Sequence, residues 1–452
     1  MDRRAILRGA AVGLVAAAAV PVGQRMLNGP AQASPRSAPV VAAAACGGLP
    51  LLGGTEFPIG LFWPPHPFET TGERYAEIRE AGFTFVIGGN YLLDAHIMLH
   101  AMRMADAVGL KFLVGGDQDV ANYAGRFTIS DDRSVPMSIT SNDARTLATT
   151  VLNRYQGVDS FVGWSLGDEP PASRFPTLGR AFAISREVAP NHLLYSNLVP
   201  GTGAGYQTMV RSFVDTLKPP LLSFDRYPLT TAPGSEQPGY FENWSIIRSE
   251  ALRAGIPSWV YIQSVQYAGR RFPNQAELLW QSNLSMAYGC KGIQYFTYWQ
   301  PDPARGEAFG PALMTAAGER TPLYDGAKVV NTTWLRQVGA QVKPLTSERV
   351  VHANELPLPP GAVGFSPDTY ITATSGSPVV LGQLRDTTAR RWILVANRRF
   401  NATATSSLSV HSSVTAVSLF DPASGGYTAV PDRTRIDVSL APGAAALYRL
   451  DK

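Results

Sequence analysis

Cysteine and histidine are scarce in this sequence. Its 452 residues include two cysteines, Cys46 and Cys290, and six scattered histidines. Two cysteines cannot form the disulfide scaffold that holds small secreted domains together, and no Cys/His group has the spacing of a metal site. We therefore expect no metal and no other cofactor. Cys290 closes a helical stretch just before a strand and is typical of a small buried residue, so a Cys46–Cys290 disulfide is left open but not favoured.

A strong excess of charge of either sign is also missing. Lys and Arg number 39 against 35 Asp and Glu, which gives a net charge of +4, and charged residues make up 16% of the chain. Four of the basic residues and one acidic residue fall within positions 1–33, which leaves 35 and 34, a net charge of +1 for the remainder. Nothing in this balance favours binding to nucleic acid.

Long apolar runs are absent except at the N-terminus. Arg3 and Arg4 precede the run Gly9–Gly23, and Ala31–Ala33 has the small residues of a cleavage site. The pattern resembles a twin-arginine export signal, and its run of about 15 residues is shorter than the roughly 20 of a membrane-spanning helix. We predict a signal peptide at 1–33, a secreted or cell-envelope location, and no membrane attachment after cleavage. An uncleaved anchor is the alternative.

Short apolar runs alternate with amphipathic stretches from residue 55 onwards, after an Ala/Pro/Ser/Gly-rich segment at 34–54 that is typical of a disordered linker. The eight runs are Phe57–Phe62, Phe83–Ile87, Lys111–Val114, Ser160–Leu166, Leu193–Ser196, Leu221–Phe224, Ser258–Ile262 and Gly292–Phe296. The stretches between them have helical periodicity, and Ala327–Val342 would be the eighth helix. Eight strands, each followed by a helix, predict an α/β fold, a (β/α)8 barrel over 55–344.

The rival architecture is a doubly wound open sheet, which usually has a glycine-rich phosphate loop after its first strand. Here the first run leads into Trp63-Pro64-Pro65-His66-Pro67, which cannot form such a loop. After the barrel the pattern changes to short alternating runs punctuated by Gly, Pro, Ser and Asn, with no helical period. This predicts a small antiparallel β-sandwich over 345–452. We expect the sandwich to pack on the barrel, and a carbohydrate-binding role for it is less favoured.

Polar and aromatic residues follow each predicted strand of the barrel. Active sites of such barrels lie at the carboxyl ends of the strands, so we expect these side chains to surround one pocket. In strand order they are Trp63 and His66, Asn90 and Tyr91, Asp117 and Asp119, Asp168 and Glu169, Asn197, Asp225 to Tyr227, Gln263 and Gln266, and Tyr298 to Gln300. Aromatic faces stack on the apolar face of a sugar ring, and amides and carboxylates bond its hydroxyls. The set predicts a neutral carbohydrate as the ligand.

Several of these residues have plain structural alternatives. Trp299 could simply close the mouth of the barrel, and Asn90 and Asn197 could cap loops. Asp117 could be an N-cap or a turn residue. Asp225 could merely orient its neighbours. The convergence of eight strand ends on one pocket carries more weight than any single position.

The stretch Trp164-Ser165-Leu166-Gly167-Asp168-Glu169-Pro170 is the most informative part of the chain. An apolar run ends in two carboxylates and a proline that prevents the strand from continuing. Glu169 in this setting resembles the acid/base glutamate of the large clan of retaining (β/α)8 glycoside hydrolases that includes β-galactosidases, cellulases and β-glucanases. The aromatic end of the eighth strand, Tyr295–Trp299, is similar too, as is a sandwich after the barrel. The resemblance implies a glycoside hydrolase with Glu169 as its general acid.

Two positions depart from that clan. Asp168 stands where the clan has Asn, and Gln263 stands at the end of strand seven, where the clan has a nucleophilic Glu. Glycosidic cleavage needs a second carboxylate. Asp225 is the best candidate, and Asp168 and Asp117 are the other possible bases. Strands four and six should lie about 9–10 Å apart, which leans towards inversion through an activated water.

We therefore expect Glu169 to protonate the leaving oxygen, while Asp225 or Asp168 stabilises the transition state or activates water. The expected substrate-binding residues are Trp63, His66, Asn90, Asp117, Asn197, Tyr227, Gln263, Tyr298 and Trp299. The competing hypothesis is a non-catalytic carbohydrate-binding barrel that has lost its nucleophile. An esterase is disfavoured, because Ser165 lies within a predicted strand rather than on the sharp turn of a nucleophile elbow.

Overall fold

Eight parallel strands close into a barrel in this computed structural model, which describes residues 48–90, 92–232, 235–302, 304 and 306–452. The predicted signal peptide, most of the predicted linker, Cys46 and Tyr91 lie outside the described residues. The strands are β1 (Ile59–Phe62), β2 (Phe85–Ile87), β3 (Lys111–Val114), β4 (Phe161–Asp168), β5 (Leu193–Leu198), β6 (Leu222–Asp225), β7 (Ser258–Gln263) and β8 (Ile293–Phe296). Each strand pairs with its neighbours in sequence, and β1 closes the barrel by pairing with β8 as well as β2. The predicted (β/α)8 barrel is confirmed.

Large side chains fill the interior of the barrel. Phe85 and Trp259 lie 5.3 Å apart between ring centroids in a cluster with Leu113, Leu193 and Tyr195. The adjacent strand β1 carries Gly60, where a Cβ atom would overlap the Phe85 ring. A missing side chain on one strand thus makes room for a large ring from the next, as close packing of an interior requires.

Helices cover the outside of the barrel and bury their apolar faces against it. They are α1 (Gly72–Glu80), α2 (Ala95–Ala107), α3 (Ser141–Tyr155), α4 (Phe175–Val188), α5 (Gly203–Leu217), α6 (Tyr240–Ala254), α7 (Gln275–Ala287) and α8 (Pro322–Val329), and α8 continues through a wider turn, Val330–Leu335, into a last segment, Arg336–Val342. Asn274 begins α7 with a reciprocal capping box to Glu277, an arrangement that satisfies two otherwise unpaired N–H groups. None of the helices in the described residues is both long and apolar enough to cross a membrane.

The C-terminal part consists of two antiparallel sheets, as the sequence predicted. Its strands are β9 (Thr346–Ala353), β10 (Ile371–Gly376), β11 (Val379–Arg385), β12 (Arg391–Asn397), β13 (Ala404–Val410), β14 (Ala416–Asp421), β15 (Gly426–Ala429), β16 (Arg435–Leu440) and β17 (Ala445–Asp451). One sheet has the order β9-β11-β12-β17-β14-β15 and the other β10-β13-β16. Val351, Leu381, Val395 and Leu408 form part of the apolar core of this sandwich.

The sandwich packs on helix α7 of the barrel. Trp280 donates its indole N–H to the Arg398 carbonyl at 3.0 Å, and Asn283 donates its amide to the Gly443 carbonyl at 2.9 Å. Gly382 of β11 lies so close to the end of α7 that a Cβ atom there would meet the Ala287 oxygen at 2.5 Å. The close approach of strand and helix therefore depends on a glycine.

We predict that Gly382→Ala destabilises the protein by about 1–3 kcal/mol, because the added methyl group overpacks the contact between β11 and α7. Thermal or denaturant unfolding measures the loss. Gly426→Ala is the matched control, since its Cβ atom would meet its nearest neighbour, the Ser424 hydroxyl, at an ordinary 3.5 Å. Equal stability of the two variants would contradict the packing argument.

Candidate functional site

Three carboxylates meet at the carboxyl end of the barrel strands. Asp168 ends β4, Glu169 follows it, and Asp225 ends β6. Glu169 has a φ of +44°, which places a residue with a side chain in the left-handed region, and its N–H donates to the Asn197 carbonyl at 2.9 Å. Such a conformation is uncommon outside glycine and occurs where the surrounding structure holds it. The turn directs the Glu169 side chain across β5 towards β6.

A β-bulge in β4 sets the direction of these side chains. The pairing of β4 with β5 shifts between Ser165 and Gly167, and Asp168 then pairs with Asn197. A bulge re-aims the residues that follow it and is common next to active sites. The letters Gly163–Gly167 match a serine-hydrolase elbow, but Ser165 lies inside β4, so the structure supports no nucleophile there.

Asp225 and Glu169 are in direct contact. Their carboxyl groups are hydrogen-bonded to one another, and Asp225 is only 5% exposed. Burial first, then the charge of Glu169 and this hydrogen bond, raise the pKa of Asp225 well above its ordinary value. A hydrogen bond between two carboxyls needs a proton on one of them, and the raised pKa of Asp225 favours a proton on this residue. The contact is much closer than the strand spacing of 9–10 Å predicted for these two residues.

Asp168 is the third member of the group. Part of its surface is open to solvent, while the surrounding protein partly desolvates its carboxyl group. This burial, and the neighbouring Glu169 carboxylate, raise the pKa of Asp168 to about 6, although a hydrogen bond from Asn197 lowers it. Asp168 is therefore ionised at neutral pH and becomes protonated in mild acid.

Asn197 holds the group from below. Its amide donates to Asp225 at 3.0 Å, and its own oxygen accepts from the Ser223 hydroxyl at 3.0 Å. The Ser223 contact fixes the amide so that its NH2 group faces the carboxylates. The chain continues inward to Tyr195, whose hydroxyl lies 2.8 Å from Ser223 and accepts from Gln294 at 2.8 Å. We call this the Asn197 chain; it supplies buried hydrogen bonds to groups that would otherwise be costly to enclose.

Aromatic rings line one side of the mouth and form what we call the aromatic wall. Its members are Phe62, Trp63, Tyr227, Tyr261, Tyr267, Phe296 and Phe309. Tyr227 stacks on Phe296 with 4.9 Å between ring centroids and interacts electrostatically with Asp225. Phe296 and Tyr267 are half-buried and keep part of their surface open to solvent. An apolar wall beside acidic groups suits the two sides of a sugar ring.

The structure thus brings together Asp168, Glu169, Asp225 and Asn197, with Tyr227 and Trp63 in the adjacent wall. Two further predicted residues lie at the rim. His66 is half-buried, and its ring lies edge-on to Trp299 with 5.6 Å between the ring centroids. Asn90 has a φ of +55°, and its amide nitrogen is enclosed without a hydrogen-bond partner among the described residues.

Asp117 is held away from this group. It is 1% exposed, caps the short helix Gln118–Val120, and accepts hydrogen bonds from Arg154 and Tyr155 at 2.6 Å each. Arg154 and Tyr155 thus hold the Asp117 carboxylate against helix α3, on the outside of the barrel. The capping alternative, not the binding or base role, describes its position.

Tyr298 and Trp299 are also enclosed. Tyr298 is completely buried and packs edge-on against Phe83. Trp299 is 1% exposed and is covered by the Arg74 guanidinium, 5.3 Å from the ring centroid. The predicted sugar-stacking role does not fit these positions, because neither ring presents a face to the mouth. Trp299 closes the barrel end, as its structural alternative stated.

Gln263 is a structural clamp. It is completely buried, accepts from the Leu229 N–H at 3.0 Å, and donates to the carbonyls of Leu229 and Arg271 at 3.3 and 2.8 Å. Its main chain exchanges two further hydrogen bonds with the Gln281 amide. The predicted role of bonding sugar hydroxyls does not fit, because every polar atom of the side chain is occupied. The amide ties the loop after β6 to the loop after β7.

Sequence reasoning missed the inner members of the site, namely Tyr195, Ser223, Tyr261 and Gln294. A signal for two of them was available. Tyr195 and Ser223 stand two residues before Asn197 and Asp225, so the alternation of strands places each pair on one face. Phe296, which also belongs to the aromatic wall, ends β8 two residues before the predicted Tyr298.

Two cavities lie away from this group of carboxylates. One of about 570 Å³ is at the opposite, amino end of the strands, lined by His192, Leu194 and Ile256 among others, and one of about 470 Å³ is on the outer surface beside α3 and α4. In barrel enzymes the amino end contributes to stability rather than to chemistry. Among the described residues, no group of three or more His, Cys, Asp or Glu side chains is arranged to hold a metal ion.

Comparison with known proteins supports the fold. No protein-family model matches the chain, and no curated protein matches it in sequence. A solved family 5 glycoside hydrolase from Bacteroides vulgatus ATCC 8482 superposes with a TM-score of 0.54 over 88% of each chain, at 11% identity. A second structure, described as a glycoside hydrolase, has a TM-score of 0.52 and 11% identity and covers 88% of this chain and 93% of its own. The chain therefore has a fold that is found in glycoside hydrolases.

We predict that Asp225→Asn is more stable than the wild type at neutral pH. The amide mimics protonated Asp225: its oxygen still accepts from Asn197, and its NH2 donates to Glu169. A carboxyl whose pKa is raised by folding lowers stability once the pH exceeds the unfolded value near 4. The gain should reach about 1–2 kcal/mol at pH 8 and vanish at pH 4. Thermal unfolding at both pH values measures it; Asp215→Asn, on the surface, is the control. A variant that is less stable at pH 8 would contradict the shared-proton arrangement.

Gln263→Glu tests the clamp against the idea of a lost nucleophile. A carboxylate oxygen would face the Leu229 and Arg271 carbonyls that now accept from the amide, so we expect a loss of about 3 kcal/mol or more in unfolding free energy. We expect no gain in hydrolytic activity. Gln266→Glu, at an exposed position of the same loop, should change stability by less than about 0.5 kcal/mol. A stable, more active Gln263→Glu protein would show that this position is an emptied catalytic one.

Proposed function

We propose that this chain is a secreted glycoside hydrolase that cleaves O-glycosidic bonds of a neutral oligo- or polysaccharide, with Glu169 as the general acid. The observation that carries the proposal is the hydrogen-bonded pair of Glu169 and Asp225 beside the aromatic wall. A proton held between two carboxyls, next to a surface for a sugar ring, is positioned to protonate a glycosidic oxygen. The arginine-led N-terminus supports export.

The two carboxyls of the pair differ in exposure, and we assign them different roles for this reason. Glu169 is reached by solvent and can contact a substrate, whereas Asp225 is buried and bonded to Asn197. In the proposed reaction the shared proton passes from Glu169 to the leaving oxygen as the bond from that oxygen to the anomeric carbon breaks. Both carboxyls are then ionised, and the Asn197 amide stabilises the charge on Asp225 through its hydrogen bond. The raised pKa of Asp225 keeps this proton on the pair at neutral pH, so it is available when the leaving oxygen develops negative charge.

Asp168 takes the role of base. Its pKa of about 6 leaves it ionised at neutral pH, so it can accept a proton from the water whose oxygen attacks the anomeric carbon. Direct contact between Glu169 and Asp225 is closer than the roughly 5–5.5 Å of a covalent mechanism or the 6.5–9.5 Å of a water-mediated one. For this reason we assign the pair to one role, the acid, and the second role to Asp168.

Three acidic groups in one mouth also favour a neutral substrate. A uronate or sulfated sugar would bring a like charge beside Asp168, Glu169 and Asp225, and this repulsion would oppose binding. The sugar face without hydroxyls would lie on the aromatic wall, and its hydroxyls would meet the carboxylates and Asn90.

A non-catalytic carbohydrate-binding barrel is the second candidate. Its specific support is Gln263, which occupies the end of β7 as a clamp, so this strand ends in an amide and not in a carboxylate. On this view the acids would only bond hydroxyls. The two functions make opposite statements about whether reducing ends appear when the protein meets its carbohydrate.

We expect wild-type protein to release reducing ends from at least one member of a panel of neutral oligosaccharides, and Glu169→Gln to lower the rate by at least about 10²-fold while retaining binding. Reducing-end assays and affinity electrophoresis measure the two properties. Glu187→Gln, an exposed carboxylate on α4, should leave the rate unchanged. Normal turnover by Glu169→Gln removes this residue from the chemistry, and binding without release by the wild type favours the second candidate.

A further inference from the structure

Arg398 reaches from the C-terminal sandwich to the loops of the barrel. It follows strand β12 and is only 4% exposed. Its guanidinium forms two hydrogen bonds to Glu236, one of them at 2.9 Å, and another to Glu355 at 3.0 Å. The guanidinium also lies 4.6 Å from the centroid of the Phe241 ring. A buried, forked arginine pair of this kind fixes geometry, because removing either partner leaves a charge without compensation.

Glu236 belongs to the loop that carries Asp225 out of strand β6, between Asp225 and Tyr240, which we call the sixth loop. The described part of this loop folds back on itself: the Gln237 N–H donates to the Pro228 carbonyl at 2.7 Å, and Leu229 pairs with Glu236. Arg226 donates to the Pro238 carbonyl at 2.7 Å. Because Glu236 pairs with Leu229, fixing Glu236 also restrains the limb that begins at Asp225.

Two anchors from opposite sides hold the sixth loop. Within the barrel, Gln263 bonds both main-chain groups of Leu229. From the sandwich, Arg398 holds Glu236. The first anchor controls the limb that leaves Asp225, and the second controls the limb that returns to α6.

Arg398 is itself held firmly. Its carbonyl accepts from the Trp280 indole, and its partner Glu355 lies 2.7 Å from the His352 ring. The other nitrogen of that ring lies 3.1 Å from the Tyr288 hydroxyl, at the end of α7. The arginine is thus fixed to the barrel through α7 at the same time as it grips the sixth loop.

The remaining contacts of the sandwich have a different character. Gly382 and Gly443 meet α7 through their main chain, and these contacts join two packed surfaces without touching a loop of the mouth. These contacts would be sufficient to hold the sandwich on the barrel. The ion pair to Glu236 adds a hydrogen-bonded contact to the loop after Asp225.

We propose that Arg398 is a positioning residue for the carboxyl pair: by pinning Glu236 it holds the sixth loop, and with it Asp225, against Glu169. The sandwich is then part of the working site rather than a separable module. What the positioned pair accomplishes rests on the proposed function; that the loop is pinned does not.

We expect Arg398→Met and the milder Glu236→Gln to speed amide hydrogen exchange in residues 226–232 and 235–239 by about tenfold or more. Exchange in α3 and α4 should stay within about twofold of the wild type. Arg349→Met is the matched control, since it breaks the Arg349–Asp368 pair inside the sandwich. In the variants kcat should fall by about tenfold or more while KM changes little, because the proton pair and not the sugar contacts is disturbed.

The possible outcomes distinguish the role of Arg398 in holding the sixth loop from the proposed hydrolysis. Unchanged exchange in the sixth loop of Glu236→Gln, or an increase spread evenly over the barrel, overturns the proposal. If Glu169→Gln retains normal turnover, the proposed hydrolysis is wrong. Faster hydrogen exchange confined to the sixth loop would still show that Arg398 holds this loop through Glu236. Faster loop exchange together with unchanged kcat shows that Arg398 pins the loop without positioning Asp225, which also overturns the proposal.

Discussion

The cost of bringing three carboxyl groups together at the mouth of the barrel governs this end of the molecule. Asp168, Glu169 and Asp225 repel one another when ionised, and desolvation of Asp168 and Asp225 adds to that cost. The surrounding structure answers with a shared proton, with the amide of Asn197, and with a backbone that is held in the left-handed region at Glu169. Such strain persists only where the fold over-determines it. The acidic group is therefore a destabilised site supported by a stable barrel, as is common where function opposes stability.

The sequence predicted the barrel because eight apolar runs and the helices between them have strong periods, and it predicted Asp168, Glu169, Asn197 and Asp225 because they end strands. It could not show the contact between Glu169 and Asp225. That contact depends on a bulge within β4 and on one left-handed residue, and neither has a sequence signature that spacing alone can detect.

Four of the predicted site residues have structural contacts that occupy them. Asp117, Gln263, Tyr298 and Trp299 do follow strands, but each is used by the scaffold: one caps a helix, one clamps two loops, and two rings close the barrel end. A position at a strand end specifies where a side chain starts, whereas local hydrogen bonds decide where it points. Conversely, Tyr195 and Ser223 lie deeper in the strands and were recognisable only through their alternation with Asn197 and Asp225.

The Asn197 chain has one more consequence. Gln294, Tyr195 and Ser223 all lead to an amide, and an amide neither takes up nor gives away protons near neutral pH. The barrel interior can polarise Asp225 but cannot recharge it. Any proton used at the mouth must therefore return from the solvent side, where Asp168 and Glu169 are exposed, so whatever covers that side also controls how fast the pair is protonated again.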